Sequence, residues 1–142
     1  MRSKKFVLDA NIWVSYFLSN NISLLLEIIS TNKITVLYCS ELLTEIERVL
    51  EYPHLIKYNL EVKSAVSLVK KVGILATLNY PFNAYIPRDE DDSYIIALAL
   101  QQYAGFVTSG DRHILSQRLI LEKKYTKLKI ISKSVFEKMF KK

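Results

Sequence analysis

The sequence predicts an α/β fold, a three-layer α/β/α sandwich around a mainly parallel central sheet. Three observations predict it. Short β-branched or aromatic runs alternate along the chain with longer helix-patterned pieces, and that alternation is the signature of parallel strands joined by crossover helices. The 142 residues, half of them apolar, suffice for one substantial core and are too few for two ordinary domains. No internal repeat, low-complexity tract or convincing linker divides the chain, so residues 1–142 are expected to form a single domain.

The strand candidates are Lys5 to Leu8, Thr35 to Cys39, Gly105 to Ser109 and Lys129 to Ser132, each short and rich in Val, Ile, Phe or Thr, with a weaker one at Gly73 to Ala76. Helix patterns fill the intervals: Ile12 to Leu18, Ser23 to Ser30, Leu42 to Glu51, Glu61 to Val72, Tyr94 to Tyr103, Arg112 to Lys123 and Ser134 to Phe140. The piece from Tyr94 to Leu100 is apolar on nearly every side, which predicts a buried helix, capped by Asp91, Asp92 or Ser93. Residues 78–92, with Pro81, Pro87 and a run of acids, read as a long connection.

Composition narrows the functional classes. No apolar run approaches the length of a membrane span, and MRSKKFVLDA passes from a short basic stretch straight into a strand pattern without the apolar segment of a secretory signal. Cys39 is the lone cysteine, so an internal disulfide and a cysteine-based zinc site are excluded, and its apolar setting predicts a buried, inert thiol. These features point to a cytoplasmic protein without membrane contact. Of the 20 Lys and Arg residues behind the net charge of +6, ten follow Asp111. A basic C-terminal third suits a polyanionic partner, although a solvated lysine-rich face accounts for it equally well.

Within this basic chain several acids fall where a site would form. In open parallel sheets ligands bind beyond the carboxyl ends of the strands. Asp9 follows the run FVL, and Asp111 follows FVTSG. If the extended geometry persists past Leu8, Asn11 points the same way as Asp9. Asp111 is also suited to a turn or helix N-cap, whereas an unpartnered charge at the end of an apolar strand is costly, which makes Asp9 the stronger candidate. Asp89 through Asp92 are four acids in a row, more than a cap requires. On the helix from Leu42 the apolar stripe is Leu42, Leu43, Ile46, Val49 and Leu50. Glu45 and Glu47 flank it, and periodicity does not choose between them. Glu41 and Glu51 point further away, toward solvent. Carboxylates gathered in one place are tolerated when a cation is shared among them or protons are taken up.

Taken together, FVLDANIWVSYFLS, SELLTEIERVL, RDEDDSYIIALAL and FVTSGDRHIL resemble, in order and over nearly the whole chain, the PIN-domain nucleases, and among them the VapC-like prokaryotic toxin group. The resemblance implies that Asp9 ends the first strand with Asn11 as its companion. It selects Glu45, four and five residues ahead of Val49 and Leu50, over Glu47. It matches Asp92, with Asp91 beside it, to the acid opening an Ala-rich helix, and Asp111 to the last acid, with Ser109 in the hydroxyl position of a Thr/Ser-Gly-Asp turn. Ala10 stands where many relatives carry Thr, and Ser93 where many carry Asp or Asn.

All-oxygen donors without cysteine or clustered histidine favour Mg²⁺ or Mn²⁺ over zinc. One or two such ions activate a water and hold the scissile phosphate, with Asp9, Glu45, Asp92 (or Asp91) and Asp111 as ligands and Asn11 and Ser109 orienting them. The resemblance implies an endoribonuclease acting on RNA, a cognate antitoxin protein as partner, and self-association as a homodimer. His113, at an exposed helix start, is expected to be incidental, and His54, in the turn-like YPHL, structural. A haloacid-dehalogenase-type phosphatase needs a second Asp two residues after the first, where this chain has Asn11. A non-catalytic RNA-binding module of the same fold is the other alternative.

Overall fold

The computed structural model describes residues 4–58, 61–82 and 90–140, with the backbone alone for 56–58 and 90–92. Five strands, β1 (Lys5–Leu8), β2 (Thr35–Tyr38), β3 (Ile74–Leu75), β4 (Phe106–Thr108) and β5 (Lys129–Ile131), form one sheet in the order β3-β2-β1-β4-β5. Every pairing in it is parallel. The helices are α1 (Ala10–Leu18), α2 (Ile22–Asn32), α3 (Ser40–Leu50), α4 (Val62–Val72), α5 (Glu90–Gln101), α6 (Arg112–Ser116), α7 (Arg118–Lys124) and α8 (Lys133–Met139), with a 3-10 turn over Pro53–Tyr58. Right-handed crossovers put α1 to α4 on one face of the sheet and α5 to α7 on the other. The packing agrees: α3 touches both α1 and α4, and α5 lies on β1 and β4. This is the α/β/α sandwich that the alternation predicts.

The central strands are buried on both faces, which is why they read as continuous apolar runs. Phe6 stacks on its neighbour Phe106 at 4.6 Å between ring centroids, and Phe136 meets Phe6 edge-on at 5.5 Å. Helix α8 is locked beside α1 by polar contacts as well. The Tyr16 hydroxyl donates to Glu137 at 2.6 Å, and the Lys133 ammonium donates to Ser15 at 2.8 Å while lying over the Tyr16 ring. Ser93 to Ala99 of α5 are buried on all sides, as their sequence implies.

Several boundaries differ from the sequence reading, each for a local reason. Helix α1 starts at Ala10, two residues early, because the Asp9 side chain caps it by accepting from the Ala10 amide. Helix α5 starts at Glu90, so Asp91, Asp92 and Ser93 lie inside its first turn instead of capping it. The stretch from Arg112 to Lys123 is two helices. It breaks at Gln117 (φ −93°, ψ 2°), where the Ser116 hydroxyl donates back to the His113 carbonyl and competes with the regular ladder. The weak strand at Gly73 to Ala76 exists as the two-residue edge strand β3.

Gly73 closes α4 where the chain passes tightly against β2. A Cβ built there would sit 2.7 Å from the Tyr38 ring and 3.0 Å from the Val69 carbonyl oxygen. Gly73→Ala should therefore overpack the contact and cost about 1–3 kcal/mol. Urea denaturation should show a lowered midpoint with an unchanged slope, and an unchanged midpoint would mean that Tyr38 yields freely.

Candidate active site at the carboxyl edge of the sheet

Strand order decides where a site can open. From β1 the chain winds outward through β2 to β3, then returns across the sheet to β4 and winds the other way. The loops after β1 and β4 therefore leave adjacent strands in opposite directions, and a crevice forms between them. Asp9 follows β1, and Ser109, Gly110 and Asp111 follow β4.

Asp9 is only 4% exposed. Its Oδ1 accepts the Ala10 amide at 2.8 Å, and its Oδ2 accepts the Ser109 hydroxyl at 2.8 Å and the Asn11 side-chain amide at 3.2 Å. Asn11 reaches Asp9 from within helix α1, since the extended geometry does not persist past Asp9. The oxygen of its side-chain amide accepts the Gly110 amide at 2.8 Å, which ties the β4–α6 loop to α1. Ser109, fully buried, accepts the Asp111 amide at 3.0 Å on the hydroxyl that it donates to Asp9. Asp111 in turn caps α6 through the His113 amide at 2.7 Å, so its N-cap role is real. That bond uses Oδ1 and leaves Oδ2 without a hydrogen bond among the described residues.

Glu45 is half-buried on α3, and the Tyr94 hydroxyl of α5 donates to its Oε2; Glu47 is exposed. Burial lifts the Asp9 carboxyl from its ordinary 3.8 to about 6, with repulsion from Glu45 and Asp111 adding to the rise and the bonds from Ser109 and Ala10 opposing it. Asp9, Glu45 and Asp111 thus share one electrostatic environment. Tyr94, which pattern reasoning did not single out, belongs with them. A lone tyrosine in an otherwise aliphatic buried run was the available signal, because a buried hydroxyl needs a partner. Glu41 accepts the Tyr80 hydroxyl at 2.7 Å at the surface. Asp91 and Asp92 open α5, but their side chains lie outside the described residues. His54 is exposed beside Tyr52, away from this edge.

The family model of the PIN domain matches residues 5–113, from β1 to the start of α6. The chain belongs to the PIN-domain family. PIN domains are generally nucleases that use divalent metal ions, so the activity class is nuclease and the substrate class nucleic acid. No curated protein matches the chain. Beyond the matched span, β5 still completes the sheet and α8 still braces α1. No helix among the described residues is long and apolar enough to cross a membrane. Cys39 is buried, which pushes its thiol up to about 12 and leaves it inert as a nucleophile.

Among the described residues no three His, Cys, Asp or Glu side chains are grouped closely enough to enclose an ion. The donors that are present nevertheless fit a hard cation in kind. They are carboxylate oxygens, and burial first, then repulsion from Glu45 and Asp111, lifts the Asp9 carboxyl to about 6; a divalent ion would offset both the lost hydration and the repulsion.

The raised pKa fixes the sign of a pH effect. In metal-free protein the folded state holds the Asp9 proton more tightly than the unfolded state does, so stability falls as pH rises from about 4 to about 6 and stays reduced above that. Asp9→Asn removes this component. The stability of the variant relative to wild type should climb by up to about 3 kcal/mol across the window, on top of a constant offset from rearranged hydrogen bonds. Urea titrations in chelator at pH 4, 5, 6 and 7 measure it, and a difference independent of pH would show that Asp9 titrates normally.

Proposed function

We propose that this PIN domain is a Mg²⁺- or Mn²⁺-dependent endoribonuclease, hydrolysing internal phosphodiester bonds of RNA, and that it serves as the toxin of a toxin–antitoxin pair. The observation that supports the nuclease chemistry is the Asp9 carboxyl at the end of β1, raised to about 6 chiefly by burial and further by the charges of Glu45 and Asp111. The toxin role, an antitoxin partner and homodimer formation rest on the likeness of the four sequence motifs to the VapC-like group.

Asp9, Glu45 and Asp111 would hold the metal, joined by Asp92 or Asp91 from the start of α5. When bound, the ion supplies positive charge that holds the scissile phosphate and makes a water nucleophilic near neutral pH. The chain's own residues do the positioning. Ser109 and Asn11 fix the Asp9 carboxylate in one orientation, and the same Ser109 hydroxyl fixes the backbone of Asp111. The Tyr94 hydroxyl holds the Glu45 carboxylate in place. No side chain serves as nucleophile, since hydrolysis needs only the water.

The test is incubation with an end-labelled RNA whose ends are both blocked, with Mg²⁺, Mn²⁺ or EDTA. Internal cleavage should need the metal. It should fall at least about 100-fold in Asp9→Asn and in Glu45→Gln, while Glu47→Gln keeps wild-type rates because Glu47 faces solvent. Retarded but uncut RNA at every metal concentration would identify a non-catalytic binding module instead. Full cleavage by the folded Asp9→Asn protein would overturn the mechanism.

A further inference from the structure

The far end of the sheet carries a second concavity, of the opposite charge. A cleft of about 720 Å³ opens where α5 ends and β4 and β5 begin, and its lining includes Tyr103, Phe106, Lys124, Tyr125, Lys127 and Lys129. From Gly105 at its floor to Ser109 beside Asp9, β4 rises four residues, roughly 13 Å, so this cleft and the acidic crevice are separate places.

Its construction is specific. Tyr103 takes the left-handed backbone conformation (φ 57°) at the end of α5, with the next amide, Ala104, bonding back to the Ala99 carbonyl at 2.8 Å. Glycine is the cheap residue for that position. A tyrosine stands there instead, 83% exposed at the mouth of the cleft. Lys124 and Lys127 form no ion pair among the described residues, whereas Lys129 lies 3.8 Å from Glu122. The cleft therefore offers an apolar floor, an aromatic platform and two ammonium groups without an ion-pair partner among the described residues, Lys124 lying 5.4 Å from the Tyr125 ring centre, and it is within the size range of small-ligand sites. Stacking platforms flanked by cations are how proteins hold bases and their phosphates. An acidic peptide would use the lysines and leave the exposed ring without a role.

We infer that the Tyr103–Lys124–Lys127 cleft binds a nucleotide, its base stacked on Tyr103 and its phosphate held by Lys124 and Lys127. The nucleotide is either free or one unit of a single strand. This binding does not depend on cleavage at the acidic crevice.

The test measures equilibrium binding in EDTA, so that no cleavage intervenes, with ADP and with a ten-nucleotide single-stranded RNA as separate probes. Tyr103→Gly suits the backbone and removes the platform, and should weaken binding about tenfold or more, with Tyr103→Phe restoring it. Lys124→Ala with Lys127→Ala should lower the salt slope for the RNA by about 1.4. The equally charged control, Lys63→Ala with Lys70→Ala on the exposed side of α4, should change either probe's binding by less than twofold. Saturable ADP binding marks a free-nucleotide pocket, and RNA binding without ADP binding marks a strand path; both support the inference. Saturable binding of neither probe, as an acidic-peptide site would give, overturns it. So does an unaltered affinity in Tyr103→Gly, or equal losses in the cleft and control variants.

Discussion

One buried carboxylate organises the working edge of this molecule. Asp9 leaves β1 with almost no access to water, and its charge is held by an amide from α1, a hydroxyl from the loop after β4 and a side-chain amide from α1. Each bond to an ionised acceptor is worth about 1.5–3 kcal/mol, and together they offset much of the cost of taking the charge out of water. The same bonds decide geometry. They start α1 at Ala10, fasten the Ser109–Gly110–Asp111 turn to the neighbouring element, and so place the Asp111 carboxyl beside the one that holds it.

The compensation is incomplete, and the Asp9 carboxyl is raised to about 6. Burial opposes the ionisation of Asp9 most, the charges of Glu45 and Asp111 add to it, and Tyr94 holds Glu45 by a hydrogen bond. A buried carboxyl with a raised pKa, next to a strand-order reversal, is more than a simple cap requires. Packed parts support it: Ser93 to Ala99 of α5 are buried on all sides, and α8 braces α1 through Tyr16, Glu137 and Lys133.

Charge is also distributed along the sheet axis. Carboxylates gather at the carboxyl ends of the strands, while lysines from the basic C-terminal third, Lys124, Lys127 and Lys129, gather at the amino ends of β4 and β5. The positive excess therefore does not simply surround the acidic crevice. Part of it is also structural, as with Lys133 over Tyr16 and Lys129 near Glu122.

The alternation of apolar strands with helix patterns determined the fold class from sequence alone, because a parallel pairing with crossover helices is nearly the only way to bury such pieces. The positions of Asp9 and Asp111 after their strands were legible for the same reason: strand ends are local features, and parallel topology sends them all to one edge. Periodicity could not choose Glu45 over Glu47, since both flank the same stripe; the family resemblance made that choice, and packing against α5 brings Tyr94 to Glu45. The early start of α5 and the break at Gln117 were also invisible, being set by side-chain competition and burial that no hydropathy period encodes. The tertiary structure alone decided that Ser109 would bridge two acids, because that bond joins residues 100 positions apart. It alone also decided that Tyr103 and the C-terminal lysines would meet in a cleft, since the crossovers fix which distant loops share an end of the sheet.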